Sequence, residues 1–109
     1  MTLRVPDNLF DNIPDFLAEE LFTDLAGNRN VTIRRIVSTG QASPAEGWYD
    51  QDDNEWVIVL KGEAKLELED EGVIEMQTGS YLNIPAHKRH RVLWTSPVTE
   101  TVWLAVHYD

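Results

Sequence analysis

From Val31 onward, apolar and polar residues alternate in short runs with the two-residue period of a strand. Val31-Thr-Ile-Arg-Arg-Ile-Val37 is rich in β-branched residues and stops at Ser38-Thr-Gly40. Glu55-Trp-Val-Ile-Val-Leu60 and Ala64-Lys-Leu-Glu-Leu-Glu69 flank Lys61-Gly62-Glu63, which predicts a tight hairpin with Gly62 in a left-handed conformation. The second of these runs alternates apolar with charged residues, so one of its faces is wet. Asp70-Glu-Gly72 turns into Val73 to Met76, and Thr78-Gly79 turns into Tyr81 to Ile84. Pro85-Ala86 then breaks the run, His90 to Trp94 resumes it, and Ser96-Pro97 precedes a long last strand from Val98 to Tyr108. Short strands separated by such closely spaced turns predict an all-β sandwich or small barrel.

The N-terminal part has a different texture. Asn12 suits a helix cap, Pro14 a first turn and Gly27 a stop. Between them Ile13, Phe16, Leu17, Leu21 and Leu25 share one helical stripe, with Asp15, Glu19 and Glu20 away from it. The expectation is a short helical extension over 1–30 before a β-barrel over 31–109, its apolar stripe resting on the outside of a sheet or on a second subunit.

Composition narrows the chemistry. A chain of 109 residues is one domain's worth, and 42% hydrophobic residues favour a packed core over disorder. With no cysteine, disulfides and thiolate metal sites are excluded, so any metal takes nitrogen and oxygen ligands. The net charge of −10, from 19 acidic and 9 basic side chains, repels phosphate backbones, and nucleic acid is not an expected partner. No apolar run is long enough for a membrane span and the start lacks a signal-peptide stretch, so a cytoplasmic location is expected.

Two segments carry candidate chemistry. Glu55 stands seven residues before Gly62, and Tyr49 and Gln51 stand six and four residues before Glu55. Gly79 and Pro85 are followed by His87, His90 and Trp94. Together they resemble the two motifs of the cupin superfamily, in the small single-domain, conserved-barrel type. The first cupin motif runs His-x-His, three or four residues, Glu, six residues, Gly. Here the Glu and Gly match, while Tyr49 and Gln51 occupy the histidine positions, so this metal motif is degenerate. The second runs Gly, five residues, Pro-x-Gly-x-x-His, three residues, Asn. Here Gly79, Pro85 and His90 match, His87 replaces the glycine and Trp94 the asparagine. The resemblance spans about residues 31 to 108. It implies a double-stranded β-helix (a small jelly-roll barrel), a homodimer and a metal site in the barrel mouth.

On an extended strand Tyr49 and Gln51 point to one face, and an interior carboxylate such as Glu55 needs a partner. His90, from the opposite sheet, can supply it. With the resemblance, these four residues make a candidate site for Fe(II), Mn(II), Ni(II) or Zn(II). The alternative is a Glu55–His90 hydrogen bond inside a metal-free barrel. His87 reads as a solvated loop residue, and His107, sharing a face with Trp103 and Ala105, as a satisfied structural one. By alternation Trp94 lies on the His90 face and is the pocket candidate, Trp56 lies opposite Glu55 and fits core or dimer packing, and Trp103 fits either role. Lys88, Arg89 and Arg91 balance nearby acids. Three functions remain open: a metal-dependent oxygenase or isomerase, a metal-free catalyst in which Tyr49 or His90 moves protons on a sugar or carbonyl compound with Glu55 orienting the base, and a non-catalytic small-ligand barrel.

Overall fold

The alternating runs become eight strands arranged in two antiparallel sheets. In the computed structural model, which describes residues 4–44 and 46–109, these are β1 (Leu21–Gly27), β2 (Val31–Ser38), β3 (Asn54–Lys61), β4 (Ala64–Leu68), β5 (Gly72–Met76), β6 (Tyr81–Ile84), β7 (His90–Thr95) and β8 (Thr101–Tyr108). Strands β1-β2-β8-β3-β6 form one sheet and β5-β4-β7 the other. Because successive side chains point to opposite faces, the inward positions of both sheets meet between them. Val57 and Val59 of β3, Ala64, Leu66 and Leu68 of β4, Met76, Ile84, Trp103 and Ala105 make that core.

The β3–β4 connection is as expected. Gly62 has a φ of +90°, and a Cβ there would stand 2.6 Å from Thr101 Oγ1 and 2.7 Å from the Glu100 carbonyl oxygen. Only glycine meets both demands.

The expected N-terminal helix is absent among the described residues. Asn12 has a φ of +57° instead of capping, Phe16 is exposed, and Leu21–Gly27 is an edge strand whose register on β2 runs from Leu21↔Val37 to Gly27↔Thr32. The physical reason is long-range pairing. A helix over this segment would leave β2 as the sheet edge with unpaired backbone groups, whereas β1 satisfies them along its length. The segment before β1 is fixed by Arg35, a buried residue on the outward face of β2. Its guanidinium donates to the Leu9 carbonyl at 3.0 Å, the Asp11 carbonyl at 2.7 Å and the Thr23 hydroxyl at 3.3 Å. Strand alternation then turns Glu20 and Phe22 toward the interior.

Candidate functional site

A cavity of about 340 Å³ lies between the sheets, with side chains of both in its wall. Most of the wall is apolar: Phe22 of β1, Ile36 of β2, Val57 of β3, Leu66 of β4, Ile84 of β6, Val92 of β7 and Trp103 of β8. Into this surface project Glu55, at the start of β3, and His90, the first residue of β7. Both are buried, at 9% and 5% exposure, so each must find its polar partner inside the protein.

The partner of each is the other. His90 Nδ1 lies 2.9 Å from the Lys88 carbonyl oxygen, which can only accept, so Nδ1 carries the hydrogen. That orientation turns Nε2 toward Glu55 Oε1 at 3.5 Å. Burial pushes the His90 imidazole down, but the hydrogen bond to Glu55, the Lys88 carbonyl and the charge of Glu55 together raise it above its ordinary value. The pair is thus built to hold a proton in a low-dielectric site.

Tyr49 and Gln51 reach the same cavity from the loop before β3. Tyr49 is joined to His90 by reciprocal backbone hydrogen bonds of 2.8 and 3.1 Å, and its ring lies 5.7 Å from the imidazole. The four residues singled out from the sequence therefore share one cavity. Their donor chemistry does not suit a firmly held metal. Glu55 and His90 are strong donors, but Gln51 is a neutral amide and Tyr49 a half-exposed phenol that must lose its proton to ligate. Among the described residues, no three His, Asp or Glu side chains converge as a metal-holding set.

The other singled-out residues fall outside the pair. His87 is exposed and lies 2.8 Å from Asp50. His107 is in the cavity wall, with Nδ1 3.4 Å from Asp53 Oδ1. Lys88, Arg89 and Arg91 meet Glu71, Glu69 with Asp50, and Glu67, respectively. Arg91 also lies over the Trp48 ring, 4.6 Å from its centroid. Trp94 corrects the expectation of a pocket residue. A register shift between Lys65 and Leu66 interrupts the β4–β7 ladder, pairing Val92 with Leu66 but Trp94 with Lys65. The extra residue reverses the alternation after Val92, and Trp94 is left half-exposed under the Lys65 ammonium, 5.7 Å from its ring centroid. The pocket tryptophan is Trp103.

Glu20 is the cavity residue that the sequence pattern hid. Its Oε2 accepts a 2.5 Å hydrogen bond from Ser38, whose Oγ in turn accepts from Trp103 Nε1 at 3.2 Å. The signal that could have found it is the alternation Glu20, Phe22, Asp24, which marks one strand face but was masked by the helical stripe.

Comparisons with known proteins agree with this architecture. Residues 34–107 match the family model described as a cupin domain. A protein of Ralstonia eutropha, provisionally named a mannose-6-phosphate isomerase, is 45% identical over 97% of this chain and 99% of its own, with a TM-score of 0.92. At 21% identity, a cupin superfamily protein of Desulfitobacterium hafniense superposes with a TM-score of 0.72 over 88% of this chain and 83% of its own. An RmlC-like cupin family protein of Methanocaldococcus jannaschii, with a double-stranded β-helix fold, does so at 18% identity and a TM-score of 0.70, over 100% of this chain and 93% of its own. No curated protein matches the chain. The two distant likenesses speak to the double-stranded β-helix fold alone, and the family match spans most of the barrel: the chain belongs to the cupin family.

Proposed function

We propose that the barrel takes a small, largely apolar carbonyl or hydroxyl compound and that Glu55 and His90 move a proton on it. The observation that carries this is the buried Glu55–His90 pair facing an apolar cavity. His90 Nε2 takes a proton from a carbon beside a carbonyl and returns it to the neighbouring atom, while Glu55 holds the resulting imidazolium in place. Isomerisation follows when the proton returns to a different atom.

The name of the Ralstonia relative supports an isomerase class in general terms. Sugar phosphate is a poorer match for this cavity. A phosphate is held by cations or a cradle of N–H donors, whereas this wall is mostly apolar and the charge of its one guanidinium, Arg34, is partly offset by Asp24, 2.8 Å from its Nε. We therefore place the substrate among unphosphorylated carbonyl compounds.

A second reading rests on the four donors sharing one cavity: Glu55, His90, Gln51 and Tyr49 would hold Fe, Mn, Ni or Zn, which would supply Lewis acidity to a bound oxygen atom. One preparation separates the two readings. Untagged protein is assayed for metal content and, by NMR in D₂O, for exchange of α-protons in a panel of cyclic and aryl ketones. Metal-free protein whose exchange falls about 100-fold in His90→Gln supports proton transfer by the pair. A near-stoichiometric metal lost in both Glu55→Ala and His90→Ala overturns it in favour of the metal.

Assembly as a homodimer belongs to the same proposal. Phe16, Tyr81 and Val98 are exposed apolar side chains that a second copy would cover, and light scattering gives the mass directly.

A further inference from the structure

Glu20 has no part in the chemistry just described, yet it reaches the same cavity from the far end of the five-stranded sheet. Leu21 pairs with Val37, and Ser38 pairs with Thr101 at the start of β8, so Glu20 stands beside that end of the strand. Glu55 pairs with His107, six residues further along β8, or roughly 20 Å at the rise of a strand. The cavity wall between them is mostly apolar, with Ile36 from β2, Trp103 from β8 and Val57 from β3, and Arg34 of β2 is its one charged side chain there. The cavity thus carries the Glu55–His90 cluster near one end and the Glu20 carboxyl near the other.

The Glu20 carboxyl is also held in place. Trp103 Nε1 donates to Ser38 Oγ at 3.2 Å, and Ser38 Oγ donates to Glu20 Oε2 at 2.5 Å. Ser38 and Trp103 are buried, at 0% and 3% exposure, so the chain is anchored in the core. It engages Oε2 and takes no part of Oε1. Burial raises the Glu20 carboxyl above its ordinary value, and the Ser38 hydrogen bond opposes that shift without cancelling it. A part-buried carboxyl that lines the cavity and is oriented from the core in this way has the form of a recognition group.

We propose that Glu20 is a specificity-determining contact, and that the cavity selects elongated molecules with an apolar body and a hydrogen-bonding oxygen at each end. One end meets Glu55 and His90, and the other meets Glu20. This inference rests on the proposed use of the Glu55–His90 end for ligand binding, and it adds what the opposite end must carry. A terminal hydroxyl fits either protonation state of Glu20, since it can donate to a carboxylate or accept from a carboxylic acid.

The test uses two rigid probes of equal breadth, 2-naphthol and 2,6-dihydroxynaphthalene, titrated into the full chain by calorimetry. Binding is located by the NMR shift of the Trp103 indole N–H, which sits at the head of the Ser38–Glu20 chain. Wild-type protein is expected to prefer the diol about five- to ten-fold, the range of one added hydrogen bond. Glu20→Ala removes the preference while leaving 2-naphthol affinity within about two-fold, and Glu20→Gln, which keeps a donor and an acceptor, retains most of it. Native-like amide signals from β3 and β4, outside that hydrogen-bonded chain, certify that each variant is folded. If both probes bind equally well to wild type, or if the diol preference survives Glu20→Ala, the role of Glu20 is overturned while small-molecule binding at the Glu55 end stands. If neither probe binds, or if Glu55→Gln and His90→Gln leave 2-naphthol affinity unchanged, both proposals fall together.

Discussion

At the residue scale, the His90–Glu55 pair makes the sharpest commitment. Folding raises the His90 imidazole above its unfolded value near 6.5, so the folded state holds that proton more tightly. The linked stability is fully present below the unfolded value and is lost as pH rises through the folded one. In Glu55→Gln the carboxylate that holds the proton is gone, and the imidazole titrates lower. NMR titration of the His90 ring should show this downward move. Denaturant midpoints taken between about pH 5 and 8 should show the wild-type advantage over Glu55→Gln widest in acid and shrinking toward alkaline pH. A gap that widens with rising pH would contradict the assignment. Glu55 and His90 were legible from the sequence because each stands in the first two residues of a strand at a recognisable spacing. Glu20 was not, because a residue's face depends on whether its segment is helix or strand, and no local property of Glu20 decides that.

At the element scale, the hairpin and the N-terminal edge carry separable costs. Gly62→Ala meets both a positive φ and the backbone leading into β8, where the Glu100 carbonyl oxygen would lie 2.7 Å from the new Cβ. It should cost about 3 kcal/mol. Gly79→Ala has a comparable φ of +91° but open space around it, and it should cost about 1 kcal/mol. Urea unfolding of the two variants separates the clash from the strain. Arg35→Ala removes the hydrogen bonds that hold the Leu9 and Asp11 carbonyls, at about 2 kcal/mol, and amide exchange should accelerate in the segment before β1 ahead of the rest of the barrel. If exchange speeds up uniformly across the barrel, Arg35 is supporting the core and not the edge. These same elements show where sequence reasoning succeeds. Strands β2 to β7 were found within one or two residues because period-two alternation and turn residues agree locally. β1 was missed because its helical stripe was a coincidence of Leu21 and Leu25, and only pairing with β2, remote in its energetics from either residue, selects the strand. Trp94 failed for a related reason. Alternation places a side chain correctly up to a bulge, and the slip opposite Lys65 and Leu66 has no signature in residue type.

At the scale of the whole molecule, charge sets what can approach the cavity. The chain carries a formal net charge of −10, and its cavity wall holds Glu20 and Glu55. An anionic ligand therefore approaches against the field of the protein, and the one cavity arginine, Arg34, is already partly neutralised by Asp24. Salt screens the approach, with a Debye length falling from about 30 Å at 0.01 M to about 10 Å at 0.1 M. The consequence can be read with one matched pair, 2-naphthol and 2-naphthoate, titrated at those two ionic strengths. The neutral probe should bind with the same affinity at both. The carboxylate should bind at least about ten-fold more weakly at low salt, and part of that deficit should disappear at the higher ionic strength. Tighter binding of 2-naphthoate as salt is lowered would mean that a cation is free in or near the cavity. It would return phosphorylated sugars to the candidate substrates and break the case for a neutral ligand held between Glu55 and Glu20.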